Sequence, residues 1–292
     1  LHEVRQMIAT VNSPIYQNRT TLDGVLHILV ANPFAYAMTI IGTIEFIKNK
    51  DYKPMPINIV IVTLHVLTHG DRLIVVMAIF NFIIVYFFIN HKRTFYIFKR
   101  KKLMLSVMIS FAVFFFVYIA ILRGSDPIKS LYFYLTGVVP HLDVRLLQIN
   151  THGEYTLGFS SFNGFLSPLF QILNNLGLNR PDILFRAQEL SFVENPVYIT
   201  ATEQMNAFVS PFFYFYLDFR IIGVIVLSFV YGLFTSYLFT RFIKDNSTRK
   251  LFLVALVTQG LLFSMIRFEF ANPTYSLAFL YVIIYSKRRI KL

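Results

Sequence analysis

Seven stretches of the chain are apolar almost from end to end: Val25–Ile47, Ile57–Asp71, Leu73–Asn90, Leu103–Leu122, Ile221–Ile243, Leu251–Ile266 and Thr274–Ser286. Apolar runs of this length and number predict membrane-spanning helices, and so an all-α polytopic membrane protein with about seven transmembrane helices. Two pairs are undersized. Ile57–Asp71 has 15 residues, about 22 Å of helix against a hydrocarbon core of roughly 30 Å, whereas its partner Leu73–Asn90 is nearer full length. The turn His69-Gly70-Asp71-Arg72 is therefore expected below the outer membrane surface. The same pattern recurs over Leu251–Ser286, where two short runs flank Arg267-Phe-Glu269-Phe-Ala-Asn272-Pro273.

Between the fourth and fifth runs lies a long segment, Arg123 to about Leu217. It is too polar to span in one piece and too rich in Phe, Tyr and Leu to be a disordered linker. Six glycines and six prolines punctuate it, from Gly124 and Pro127 to Gly177 and Pro211. A connection this long in a compact protein is usually a binding or lid element, and short amphipathic helices in the interface are expected. The organisation predicted is an outer N-terminal stretch (1–24), four spans (25–122), an extracytoplasmic loop (123–217), and three spans with a basic tail (218–292). The chain starts on Leu, and its first 23 residues lack a signal-peptide pattern. We therefore expect it to be the C-terminal part of a longer protein.

Charge assigns the sides. If the seven runs alternate, four basic clusters fall together: Lys48, Lys50 and Lys53; Lys92 to Lys102; Arg241, Lys244, Arg249 and Lys250; and Lys287, Arg288, Arg289 and Lys291. The positive-inside rule puts that face in the cytoplasm. The net charge of +12 is thus accounted for by topology, with no need of nucleic acid as a partner. On the outer face nine of ten cations are Arg, including Arg72, Arg123, Arg145, Arg220 and Arg267. Arginine's planar fork suits phosphate or carboxylate better than a lysine does, which suggests an anionic ligand; pairing with outer acids is the plainer alternative. An Arg sunk in a membrane costs about 2.5–3.5 kcal/mol, so Arg72 and Arg267 at the two hairpin tips should meet in one polar, outward-facing cavity. Self-neutralising pairs with Asp71 and Glu269 would otherwise only close the turns.

Candidate acid–base groups are sparse. His141, Asp143 and Arg145 stand within five residues of the loop, enough for a base, an orienting acid and an anion clamp. A helix starting after Pro140, with Asp143 near its positive end, explains the acid equally well. A second polar strip, with Glu203 and Asn206, leads into Tyr216-Leu-Asp218-Phe-Arg220-Ile-Ile-Gly223. No phosphate-binding glycine loop, metalloprotease motif or nucleophile elbow is present, and His65 and His69, four apart in an apolar helix, read as packed histidines more readily than as metal ligands. With no cysteine, disulfides and thiolate chemistry are excluded.

Several of these segments resemble the oligosaccharide repeat unit polymerases of O-antigen and capsule synthesis, the Wzy type. They are Thr68-His-Gly70-Asp-Arg72-Leu, Tyr132-Phe-Tyr134-Leu-Thr-Gly137, Gly158-Phe-Ser-Ser-Phe-Asn-Gly164, Asn206-Ala-Phe, Phe215-Tyr-Leu-Asp218-Phe-x-x-x-Gly223 and Tyr231-Gly232, in that order over Asn58–Ser286. Arg220 departs from the family pattern, which has Gly after Asp-Phe. The resemblance implies a glycosyltransferase of GT-C-like helical class in the bacterial cytoplasmic membrane, with its active site facing outside. It would transfer a glycan from one undecaprenyl-pyrophosphate carrier to a repeat unit on a second, without metal or cofactor. Chain-length regulator and flippase proteins would be its partners, besides membrane lipids. In that scheme Arg72 and Arg267, reinforced by Arg123 or Arg145, hold the departing pyrophosphate, and His141, Asp143, Glu203 or Glu269 takes the acceptor proton. An O-antigen ligase, or a flippase or exporter of lipid-linked saccharide, is the alternative.

Overall fold

The structure is a computed structural model, which describes residues 26–69, 73–90, 128, 132, 136–152, 155–178, 181–190, 197–201, 204–205, 209–245, 247–264 and 268–288. It is mostly helical. In chain order the described elements are α1 (Asn32–Ile47, entered through a π-turn at His27–Ala31), α2 (Pro54–His69), α3 (Leu73–Asn90), α4 (Val138–His152), α5 (Asn163–Asn175) and α6 (Asp182–Leu190). They continue with β1 (Val197–Tyr198), β2 (Gln204–Met205), α7 (Pro211–Asp245), α8 (Thr248–Phe263), a 3-10 turn (Glu269–Ala271) and α9 (Pro273–Arg288). The two strands form one antiparallel pair, with Val197 opposite Met205.

The described parts of six of the seven apolar runs thus fall largely on helices, and Leu103–Leu122 lies outside the described residues. Proline marks several starts: Pro33 in the first turn of α1, and Pro54, Pro211 and Pro273 as first residues of α2, α7 and α9. There the missing N–H would have had no helical partner anyway. Among the described residues, two helices are long and apolar enough to cross a membrane, the 19 residues Leu29–Ile47 and the 35 residues of α7. α2 has 16 residues, about 24 Å, and so is as short as its run suggests.

The core lies where α1, α3, α8 and α9 pack together, with α2 laid against α1. Ile40, Ile44, Ile74, Leu251, Ala255, Leu256, Tyr275 and Ala278 are fully buried there. Polar groups cross-link the apolar helices. Asn81 Nδ2 donates to Thr39 Oγ1 at 2.8 Å, and hydroxyls of α9 reach other elements: Tyr275 to Leu256 O at 2.6 Å, Tyr281 to Leu29 O at 2.6 Å, and Tyr285 to Glu45 Oε1 at 3.1 Å. Such bonds fix helix register where apolar contacts alone are non-directional. His65 packs edge-on against Tyr36 of α1.

The described part of the long loop is folded. α5 docks on α9 and on the 3-10 turn, and α4 lies against α7. Gly164 sets the first contact, because its Cα faces the carbonyls of Phe270 and Asn272 so closely that no side chain fits. α7 itself is broken at Phe219 (φ −144°, ψ 23°) and Arg220 (φ 56°, ψ −141°). After the break, apolar side chains are exposed around much of the helix, among them Ile221, Ile222, Phe229, Leu233 and Tyr237. So much contiguous exposed apolar surface is not that of a water-facing helix.

Candidate functional site

The break in α7 is held by a carboxylate. Asp218 is fully buried, and its oxygens accept the Thr156 hydroxyl at 2.6 Å and the backbone N–H groups of Ser160 at 3.0 Å and Ser161 at 2.9 Å. Thr156 Oγ1 spends its proton on Asp218, so Ser160 is the donor in the 2.9 Å contact between the two hydroxyls. Two main-chain bonds complete the seam, Thr156 N to Leu217 O at 3.1 Å and Leu157 N to Asp218 O at 3.3 Å. The turn reaches this geometry through positive φ at Leu157 (50°) and Gly158 (92°), which gathers successive N–H groups on one side as an anion-binding concavity. The entrance of α5 follows at once, so the carboxylate also sits near the positive end of a helix.

Three sequence-distant segments meet around this seam. Gly158–Gly164 binds Phe215–Gly223 through Asp218, and binds the second hairpin's turn through Asn163 Nδ2, which donates to Ala271 O at 3.4 Å, and through the Gly164 contact. Gly223 is the inner hinge of the break: a Cβ there would lie 2.1 Å from Phe215 O.

Two cavities flank the seam. The larger, about 790 Å³, is lined by Tyr155, Leu157, Tyr216, Phe219, Arg220, and the α7 side chains Ile221, Ile222, Val226 and Leu227. Arg220 places its guanidinium carbon 5.1 Å from the Tyr155 ring centre and 5.2 Å from that of Tyr216. The Tyr216 hydroxyl donates to Asn150 Oδ1 of α4 at 2.8 Å, so the loop fixes one ring of the pair. Arg220 adopts backbone angles that favour glycine, and holding a non-glycine residue there costs on the order of 1–3 kcal/mol. The smaller cavity, about 280 Å³, is walled by Phe162, Phe165, Phe215, Tyr231, Phe268, Phe270 and other apolar groups, and the Ser161 side chain borders it.

Of the residues singled out from the sequence, four are described. His141 and Arg145 do come together, one helical turn apart on the buried face of α4. Arg145 Nε donates to His141 Nε2 at 3.3 Å, and its Nη1 donates to Gln148 at 3.3 Å. Burial pushes the Arg145 guanidinium below its ordinary range. The Arg145 N–H occupies the Nε2 lone pair, and neither residue lines either cavity. Asp143 is exposed, two positions and about 200° further round the helix, and so does not orient the imidazole. Nor does it cap α4, which begins at Val138, ahead of Pro140. Glu269 is buried in the 3-10 turn, its Cβ side towards Gly260 of α8. Arg72, Arg123, Arg267 and Glu203 lie outside the described residues.

Sequence reasoning missed the roles of Asp218 and Arg220. The available signals were an acid at the mouth of an apolar run and an arginine where the pattern of the turn has glycine. Comparison of the chain with protein-family models, with curated proteins and with solved structures finds no match.

Proposed function

We propose that the chain is a polytopic glycosyltransferase of the bacterial cytoplasmic membrane, with seven spans in a GT-C-like arrangement. It joins undecaprenyl-pyrophosphate-linked oligosaccharide repeat units on the outer face. What supports this reading is the meeting of Gly158–Gly164 and Phe215–Gly223, two segments that carry the resemblance, with the second hairpin's turn, beside a cavity with a cation at one end and aliphatic side chains along the other. That lining matches an amphiphile with an anionic head.

In the reaction the bond between the donor's anomeric carbon and its phosphate oxygen breaks, and the pyrophosphate leaves with the electron pair. The acceptor's hydroxyl oxygen forms the new bond and its proton passes to a carboxylate. Arg72 and Arg267, reinforced by Arg123, stabilise the departing charge, which is the main catalytic term. Arg145 is engaged with His141 and Gln148 and plays a lesser part. Glu203 or Glu269 is the base, ahead of His141, whose Nε2 faces a cation, and of Asp143, which faces away.

Deleting the gene tests the activity, with the gene returned on a plasmid as the control that restores wild-type chains. Loss of long saccharide chains with one lipid-linked repeat retained is expected. Polymer accumulating on the carrier without transfer would indicate a ligase instead, and repeats trapped on the cytoplasmic leaflet a flippase. Either outcome sinks the polymerase reading.

Topology has its own test, made clean by the absence of native cysteine. A cysteine at exposed Leu176 should react with an impermeant maleimide in intact cells, whereas one at exposed Arg249 should react only after permeabilisation. The reverse pattern would invert the assignment of sides.

A further inference from the structure

No further inference is drawn: the strongest candidate, the stripe of small residues Ser228, Gly232, Ser236 and Thr240 along the exposed half of α7, is a helix face for which nothing in the structure shows what covers it.

Discussion

Replacing Asp218 with alanine should cost about 4 kcal/mol of stability, a large share of the roughly 5–15 kcal/mol that a folded protein commonly has. The variant removes the acceptor of three donors in a fully buried place. Thr156 can turn its hydroxyl elsewhere, but the N–H groups of Ser160 and Ser161 are fixed by the backbone of the turn. Each buried donor left unmade costs about 1–3 kcal/mol, and the lost bonds were to a charge. Asp218→Asn keeps the shape and one acceptor oxygen but turns an NH₂ towards an N–H or hydroxyl donor, so it should fall between the two. Thermal unfolding in detergent, followed by tryptic cleavage after the loop residue Arg186, reads the effect. An Asp218→Ala protein that melts with wild type and resists trypsin equally would show that the seam does not hold the loop to α7.

The second large effect is expected at Gly164. An alanine Cβ there would stand 2.3 Å from Phe270 O, 2.3 Å from Ser276 Oγ and 2.7 Å from Asn272 O. Two of these are main-chain carbonyls and cannot swing aside, so α5 must lift from the 3-10 turn and α9. Overpacking of this kind costs about 1–3 kcal/mol, and the 2.9 Å bond from Ser276 Oγ to Phe270 O is disturbed as well. The control is Gly232→Ala on α7, where nothing lies within 4 Å. Relieved of glycine's backbone entropy, that helix should gain up to about 1 kcal/mol. The expected order of melting temperatures is Gly232→Ala at or above wild type, with Gly164→Ala well below it. If the two alanine variants melted alike, close packing at Gly164 would not be what docks the loop.

Both experiments probe support of the site and not its chemistry. Asp218 and Gly164 position the turn and touch neither proposed substrate group, so their variants should lose folded protein and activity in parallel.

How much of this was legible in the sequence depends on how far apart the interacting residues lie. Helix positions were, because each apolar run is a local property: transfer of its side chains out of water, and the hydrogen bonds of its backbone, are settled within the segment. Hence α2, α3, α8 and α9 fall within a few residues of their runs, and the short second hairpin was visible as such. The arrangement of His141, Asp143 and Arg145 was not, although all three stand close in sequence. Helical phase, fixed once α4 started at Val138 and its buried face was chosen, put two inward and turned the third out. The run at Ile221 marks the helix that follows the break, but the buried first half of α7 from Pro211 was not legible, because it depends on contacts with Phe268 and with the turn at Thr156. The seam at Asp218 joins residues 57 to 62 positions apart, and the conformation of Arg220 follows from that seam and from the close approach at Gly223. An acid reads the same in any one-dimensional pattern whether it caps, catalyses or clamps. Only the folded chain, by choosing which distant amides point at its oxygens, decided that Asp218 clamps and that its neighbour Arg220 lines a cavity.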